Sequence, residues 1–167
     1  AAVPADHAQV QQARDRDIPV RTYAEALGMV QADRLGVSIA GTHGKSTTAA
    51  MLAWILLDTG MDPGYIIGAN CEQIGGGSRT GASTIPTGPH AGEGGILITE
   101  ACEFNRSFHH HRPAIGLINN LEEDHLDIYG SLDAIIEAFA GFARLLPPAE
   151  EGGSLLIAHD GARRQGI

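Results

Sequence analysis

The sequence predicts an α/β fold in which a mostly parallel sheet is flanked by helices. Several short apolar runs end at a glycine or at polar residues, which is typical of buried parallel strands. Segments with apolar residues at helical spacing separate these runs. Strands that alternate with helices form parallel sheets, and ligands bind at the carboxyl ends of such strands. The polar residues that follow each run are therefore the first candidates for function.

The N-terminal segment predicts a short helix–strand–helix arrangement. Residues 6–14 suit a helix, and the apolar run at 18–20 suits a short strand. Residues 22–30 suit a second helix, which Thr22 begins as N-cap with Glu25 three positions later, the pattern of a capping box. A complete sheet does not fit into so short a segment.

The clearest strand–turn–helix signal follows directly. Residues 35–40 form an apolar run that stops at a glycine turn, and residues 45–59 then have apolar side chains at helical spacing until Gly60. A loop rich in Gly, Ser, Thr and Pro is predicted at 71–94, a length that is uncommon unless the loop is functional or mobile. The other predicted elements are strands at 65–67, 95–99, 114–119 and 154–158 and a helix at 131–145 with Ser131 as its cap.

Length and composition predict one main domain. A chain of 167 residues, of which 43% are hydrophobic, can bury one core. We expect one domain plus a fragment. Cys71 and Cys102 are expected to be free thiols, because nothing in the composition indicates an oxidising compartment.

The charge balance argues against two classes of partner. Eleven basic residues against twenty acidic ones give a net charge of −9, so we expect neither nucleic acid nor an anionic membrane as partner. The longest apolar stretch, 49–57, is far shorter than the roughly 20 residues of a membrane span, and we expect a cytoplasmic protein. A polyanionic nucleotide would need local donors and a divalent cation such as magnesium, because the overall field repels it.

The only lysine of the chain stands in the glycine turn. In a phosphate loop, glycines let backbone N–H groups point at the phosphates, the lysine reaches the β- and γ-phosphates, and the next hydroxyl binds magnesium. Gly41, Gly44, Lys45 and Ser46 fill these positions. The general motif also has a glycine where this chain has Ile39, so only the shorter form is present. The alternative is an ordinary strand-to-helix turn that contains a lysine.

Two further strand ends carry residues suited to metal binding. Glu100 follows the strand at 95–99 and suits a magnesium ion opposite the loop, although a solvated acidic turn is the alternative. His125 follows the strand at 114–119 among four carboxylates, and chemistry alone leaves open whether it binds a metal. The histidines at 109–111 are expected to be ordinary loop residues, because three consecutive side chains do not converge on one zinc ion.

Three stretches together carry a resemblance to a known family. They are GTHGKSTT at 41–48, EACEFNRSF at 100–108 and NNLEEDHLD at 119–127. In this order they resemble the central ATP-binding domain of the Mur ligases, which are ATP-dependent, amide-forming enzymes of peptidoglycan synthesis. With a histidine at position 43, the first stretch resembles the branch of the family that joins L-alanine to UDP-N-acetylmuramate. Residues 1–34 resemble the end of that family's Rossmann-like, UDP-binding N-terminal domain, and the family's architecture implies a further C-terminal domain.

The resemblance implies ATP and Mg²⁺ as cofactors and an acyl-phosphate intermediate. It implies that Lys45 contacts the ATP phosphates, that Ser46 and Glu100 hold one Mg²⁺ and that His125 holds a second. Lys45, Glu100 and His125 are thus the candidate catalytic residues. Several relatives use a carbamylated lysine after the histidine motif, which this chain lacks because Lys45 is its only lysine. The other residues that the resemblance places at the nucleotide are Gly41, Thr42, His43, Gly44, Thr47 and Asn120.

Two alternatives stay open at this point. A recycling branch of the same family shares the histidine at position 43 and attaches a ready-made tripeptide to UDP-N-acetylmuramate. A nucleotide-binding regulatory module that performs no ligation is the alternative from another class. The amine is L-alanine, glycine or a tripeptide, and its choice is expected to depend mainly on the C-terminal domain.

Overall fold

The computed structural model describes residues 3–124 and 126–158. Within these residues the chain forms a six-stranded sheet. The strands are β1 (Leu35–Ala40), β2 (Gly64–Ile66), β3 (Ser78–Arg79), β4 (Ile96–Glu100), β5 (Ile115–Ile118) and β6 (Ser154–Ile157). Their order across the sheet is β3-β2-β4-β1-β5-β6, and only the β2–β3 pair is antiparallel. The predicted α/β class with a mostly parallel sheet is confirmed.

Helices connect the strands, as the alternation predicts. They are α1 (Ala8–Arg14), α2 (Tyr23–Gln31), α3 (Lys45–Asp58), α4 (Leu126–Tyr129) and α5 (Leu132–Ala143), with 3-10 turns at Glu72–Ile74, Phe104–His110 and Ala149–Glu151. The predicted capping box at α2 is present, since the Thr22 side chain accepts from the Glu25 N–H and the Glu25 side chain accepts from the Thr22 N–H. None of the described helices is both long and apolar enough to span a membrane.

Two details of the predicted secondary structure are wrong. Residues 18–20 form no strand, because they are exposed and no neighbouring strand pairs with them among the described residues. The loop at 71–94 is more ordered than predicted: β3 pairs with β2, and Ile74 and Ile85 are buried in the core. The Tyr65 hydroxyl also donates to the Ile74 carbonyl, which fixes the start of the loop against the sheet.

The core has two parts, one on each face of the sheet. Along β1, Val37 and Ile39 pack in a cluster with Ala49 and Ala53 of α3, whereas Ala40 belongs to the other cluster. Successive side chains of a strand point to opposite faces, so the two clusters lie on opposite sides. The second cluster contains Phe108 of the Phe104–His110 turn and, from α5, Ile135, Ala138, Phe139 and Phe142. Helices on both faces leave the ends of the central strands as the accessible edge.

A buried polar network joins α2 to the sheet. The Gln31 Nε2 donates to Ser38 Oγ at 3.0 Å and to Thr99 Oγ1 at 3.3 Å, and the Arg112 N–H donates to Gln31 Oε1 at 2.7 Å. His111 Nδ1 lies 3.0 Å from Ser38 Oγ. Because Gln31 is fully buried, α2 packs against the same sheet as the elements that follow it. The assignment of residues 1–34 to a separate domain stays a prediction.

The buried histidine of this network predicts a pH-dependent stability. Burial lowers the pKa of His111 from 6.5 to about 4, so the unfolded chain binds more protons than the folded chain between these values. The free energy of unfolding is therefore unaffected by this group above pH 6.5 and falls as the pH drops toward 4. From the linkage relation, the loss is at most about 3 kcal/mol. Urea denaturation at several pH values measures it.

The control compares two histidine substitutions. His111→Gln removes the buried titrating group, and we expect the dependence of stability on pH to become shallower in this range. His90→Gln removes an exposed histidine that contacts Glu93, and we expect the wild-type dependence to remain. Equal slopes in the two variants would contradict the assignment.

Candidate functional site

The glycine turn between β1 and α3 contains two glycines with positive φ angles. Gly41 and Gly44 have φ values of 134° and 79°, which favour glycine. A Cβ on Gly41 would lie 3.2 Å from the backbone nitrogen of Asn120, so the loop approaches the end of β5 closely. Gly44 begins α3 without a side-chain cap, which leaves the first N–H groups of this helix for another acceptor. Such a helix end is suited to an anion.

The Lys45 ammonium is held inside this loop. Its Nζ donates to the Gly41 carbonyl at 2.6 Å, to the Thr42 carbonyl at 3.1 Å and to Glu103 Oε1 at 3.2 Å. The second carboxylate oxygen of Glu103, Oε2, lies 3.0 Å from Nζ. The side chains of Lys45 and Glu103 are only 16% and 5% exposed, so water screens this ion pair weakly. The pair joins the loop to the segment that follows β4.

The end of β5 is hydrogen-bonded to the same loop. The Thr42 N–H donates to the Asn120 carbonyl at 3.2 Å, and the His43 N–H donates to Asn120 Oδ1 at 2.8 Å. In return the Asn120 Nδ2 donates to the His43 carbonyl at 3.1 Å, and the Asn119 Nδ2 donates to Thr48 Oγ1 at 3.0 Å. These contacts fix the shape of the loop independently of Lys45. They also place Asn120 beside His43, as predicted.

Glu100 occupies the end of β4, next to the loop. It lies opposite Ile39 in the β1–β4 register, and its Oε1 accepts the Gly68 N–H at 2.7 Å. The structure thus brings most of the predicted site residues together at the loop. Ser46 and Thr47 follow in the first turn of α3, and Glu100 lies at the neighbouring strand end. The residues at the loop are Gly41, Thr42, His43, Gly44, Lys45 and Asn120. His125 lies outside the described residues. The catalytic and metal-binding roles of all these residues stay predictions.

The donor set fits a magnesium ion better than a metal held by protein ligands alone. Within residues 3–124 and 126–158, no group of three or more His, Cys, Asp or Glu could hold a metal ion. Mg²⁺ usually binds through one or two carboxylates together with substrate phosphates and water. Glu103 Oε2 is buried and makes no hydrogen bond among the described residues, since its contact with Nζ lacks hydrogen-bond geometry. Such an oxygen is a suitable magnesium ligand beside the loop.

An apolar cavity of about 610 Å³ adjoins the loop on the side of α3. Ser46 and Thr47 form its polar end, and Met51, Trp54 and Ile74 contribute apolar surface. The volume is in the range of small-molecule pockets. The site therefore combines a polar loop with an adjacent apolar space.

Two residues of this site are missing from the predicted set. Glu103 lies three residues after Glu100, the residue that the sequence predicts as a magnesium ligand. Asn119 precedes the predicted Asn120 and bonds to α3 through Thr48. A signal for both was available, since each lies in a stretch of the predicted site: Glu103 in 100–108 and Asn119 in 119–127. The pattern of residue types alone did not distinguish neighbours that point in different directions.

A comparison with protein families decides the classification. Residues 39–165 match the model of the Mur ligase middle domain, which is more than half of the chain. The chain belongs to the Mur ligase family. This agrees with the resemblance of the three sequence stretches, all of which lie in the matched region.

Individual relatives agree with this classification. The chain is 34% identical over 167 residues to a UDP-N-acetylmuramate--L-alanine ligase of Desulfitobacterium hafniense, covering 100% of this chain and 34% of the relative. It is 39% identical over 165 residues to the protein of the same name from Salinispora tropica, covering 98% of this chain and 30% of the relative. The chain thus spans about one third of the length of these curated relatives.

A solved structure of the family has the same fold. The UDP-N-acetylmuramate:L-alanyl-gamma-D-glutamyl-meso-diaminopimelate ligase from Neisseria meningitides superposes with a TM-score of 0.81 at 30% sequence identity. The match covers 98% of this chain and 52% of that one. The fold described above is therefore shared with this ligase of known structure.

The Lys45–Glu103 pair predicts a site-specific loss of stability. Glu103→Gln leaves the half-buried ammonium without an anionic partner, and we expect the free energy of unfolding to fall by about 1–2 kcal/mol. Glu137→Gln removes the carboxylate of the exposed pair with Arg144 and should cause no measurable change. Denaturation of the two variants in parallel measures this, and equal losses would contradict the description of the pair.

Proposed function

We propose that this chain is the ATP-binding part of a ligase that joins L-alanine to UDP-N-acetylmuramate. The observation that carries the proposal is the convergence of three strand ends on the loop that holds Lys45. This loop follows β1, Glu103 follows β4 and contacts Lys45, and Asn120 follows β5 and accepts the His43 N–H. The Mur ligase family is ATP-dependent. Curated relatives that are 34% and 39% identical to this chain are named UDP-N-acetylmuramate--L-alanine ligase, which supports this choice of substrates.

Charge is the main problem that such a site must solve. The chain has a net charge of −9, and both ATP and UDP-N-acetylmuramate are polyanions. The Lys45 ammonium lies in the loop, and the first N–H groups of α3 have no side-chain cap, so these donors would bind the β- and γ-phosphates. Gly41, Thr42, His43, Gly44 and Thr47 would shape the loop around them, and Asn120 would hold it.

Magnesium would complete this charge neutralisation. Ser46 and Glu100 would hold one ion beside the phosphates, with the buried Glu103 carboxylate as a further ligand, and His125 would hold a second ion. When bound, Mg²⁺ would withdraw charge from the phosphate oxygens. The support is the donor set itself, which offers hard oxygen ligands next to the phosphate loop.

The reaction needs no nucleophile from the protein. An oxygen of the muramyl carboxylate attacks the γ-phosphorus, the bond to ADP breaks, and an acyl phosphate forms. The L-alanine amine then attacks the acyl carbon, the amine loses a proton, and phosphate leaves with the bonding electrons. The residues of this chain would contribute by positioning: Lys45 would hold the phosphoryl group in line, which lowers the entropic cost of meeting the carboxylate.

The setting of this activity also belongs to the proposal. We place the protein in the cytoplasm, in cell-wall synthesis that supports cell shape and division, where UDP-linked precursors are built. The rest of the polypeptide would supply an N-terminal UDP-binding domain and a C-terminal domain that binds the amino acid and closes over ATP. Residues 1–34 would belong to the first of these and residues 35–167 to the central domain.

A second candidate is a recycling ligase that adds a tripeptide. The observation that favours it is the likeness to the Neisseria meningitides ligase, whose name gives a tripeptide as its substrate. The curated relatives at 34% and 39% identity weigh more, because they match the chain more closely in sequence. A nucleotide-binding module without ligase activity is the third outcome that the experiments distinguish.

An amine screen with the intact polypeptide tests the proposed function. With UDP-N-acetylmuramate and Mg·ATP, we expect L-alanine to release ADP and phosphate and to give a new amide, detected by mass spectrometry. A tripeptide that replaces L-alanine would identify the recycling enzyme. Nucleotide binding without any amide in all mixtures would identify a binding module and exclude a ligase.

Substitution of the single lysine tests the role of the loop. Lys45→Ala removes the charge that would contact the transferred phosphoryl group, so we expect kcat to fall at least about 100-fold. Arg144→Ala removes an exposed cation outside the site and should leave kcat unchanged. Equal kinetic constants for Lys45→Ala and the wild type would refute a catalytic phosphate loop.

The isolated chain should bind nucleotide without forming product. We expect the 167 residues alone to bind Mg·ATP weakly, to lose this binding when EDTA removes the metal, and to form no amide, because the closed site needs all the domains. Isothermal titration calorimetry with and without EDTA measures the binding. Phosphate release by this chain that depends on L-alanine would contradict the expected domain organisation.

A further inference from the structure

The segment that brings Glu103 to Lys45 has an unusual backbone. After β4 the chain turns through Asn105 and Arg106, whose φ and ψ values are 51° and 32° and 54° and 28°. Both residues thus adopt the left-handed region without being glycine. Two consecutive residues of this kind are strained, and such strain persists only where the surrounding structure enforces it.

The contacts that enforce this turn converge on the backbone of Glu103. Its carbonyl accepts the Arg106 N–H at 2.9 Å, and it also accepts the hydroxyl of Tyr129 in α4. The Arg106 guanidinium carbon lies 5.4 Å from the centroid of the Tyr129 ring, within the range of a cation–π contact. Tyr129 is only 7% exposed. One phenol therefore contacts both ends of the strained turn.

The protonation state of this phenol suits a permanent donor. Burial raises the pKa of Tyr129 above its ordinary value of 10.0, so the hydroxyl keeps its proton at neutral pH.

We propose that Tyr129 is a positioning residue: its hydroxyl fixes the backbone of Glu103, and this directs the Glu103 carboxylate onto Lys45. A continuous chain of contacts leads from the Tyr129 hydroxyl to the Glu103 carbonyl and from the Glu103 carboxylate to Nζ of Lys45. Arg106 assists by holding the phenol ring from its exposed side. The effect on catalysis rests on the proposed ligase activity, whereas the effect on nucleotide binding rests only on the proposed binding of Mg·ATP at the loop.

The same contact would connect two parts of the site that are distant in sequence. Tyr129 lies in α4, directly after the stretch at 119–127, and Glu103 lies in the stretch at 100–108. The hydroxyl thus joins the segment after β5 to the segment after β4. A displacement of α4 would move Glu103 and with it the partner of Lys45.

The test compares two buried tyrosines in the intact polypeptide. Tyr129→Phe removes only the hydroxyl and keeps the ring under Arg106. Tyr65→Phe is the matched control, because Tyr65 is 1% exposed and its hydroxyl also donates to a backbone carbonyl, that of Ile74 in the core. We expect the two variants to lose similar stability in thermal denaturation. Only Tyr129→Phe should lower kcat, by about 10-fold, because it displaces a group of the site.

A double-mutant cycle separates positioning from a general structural role. If Tyr129 acts through Glu103, Tyr129→Phe should have no further effect on kcat in a Glu103→Gln background. If the factors by which the two substitutions lower kcat multiply in the double variant, the proposal is overturned. Equal kcat values for Tyr129→Phe and Tyr65→Phe would overturn it as well.

Nucleotide binding gives a readout that does not require ligase activity. We expect Tyr129→Phe to raise the Kd of Mg·ATP about 5-fold in the wild-type background and not in the Glu103→Gln background, because Lys45 is no longer preorganised. A wild-type protein that forms no amide would refute the proposed function, and this comparison would still test Tyr129. An unchanged Kd would overturn the positioning role.

A second variant covers the case in which Tyr129→Phe does not fold. Arg106→Ala keeps the left-handed backbone and removes the guanidinium from the exposed face of the ring. We expect a smaller rise in the Kd of Mg·ATP, about 2- to 3-fold, as a cation–π contact at an exposed site is weak. The rise should disappear in the Glu103→Gln background, and its persistence there would count against the proposal.

Discussion

The contact between Lys45 and Glu103 is the interaction on which the rest of the site depends. The ammonium is enclosed by two loop carbonyls and one carboxylate, and the side chains of the pair are mostly shielded from water. A buried pair of this kind contributes little net stability, because removal of both charges from water offsets their attraction. Its main consequence is geometric, since it holds the loop after β1 and the segment after β4 in one arrangement. A phosphate that enters the loop would replace carbonyl and carboxylate contacts that already point at the same ammonium.

The order of the strands explains why these segments meet. β4, β1 and β5 are neighbours and parallel, so the residues that follow them emerge at the same edge of the sheet. Hydrogen bonds between Asn120 and the loop then fix the third segment. Helices cover the faces of the sheet, which leaves this edge for ligands. The position of the site is therefore a result of topology, and its chemistry is a result of a few polar side chains.

Much of this could be predicted because local rules and the fold agree. The apolar run of β1, the glycine turn, the single lysine and the capping box at Thr22 each indicate structure within a few residues. The role of Glu103 depends instead on a left-handed turn at Asn105 and Arg106. Neither residue is a glycine, so the sequence does not indicate this turn. Contacts with the distant Tyr129 enforce that turn, and distant contacts leave no local pattern.

The histidine run shows the same limit. The sequence predicts that the three histidines at 109–111 are all ordinary loop residues. His111, however, is buried in a polar network with Gln31, Ser38 and Thr99, and His109 Nε2 lies 2.8 Å from the Ala138 carbonyl. His111 is buried because of the way α2 packs on the sheet, and the sequence of the histidine run does not reveal this packing.

Because the chain has one lysine, the nitrogen of its side chain can be observed alone. The most direct test is an NMR spectrum of the chain labelled with ¹⁵N-lysine, recorded before and after addition of Mg·ATP. We expect one side-chain ammonium signal that is protected from exchange by its partners, that shifts when Mg·ATP binds and that is altered by Glu103→Gln. A signal typical of a free, solvated lysine that neither Mg·ATP nor the substitution changes would contradict the account.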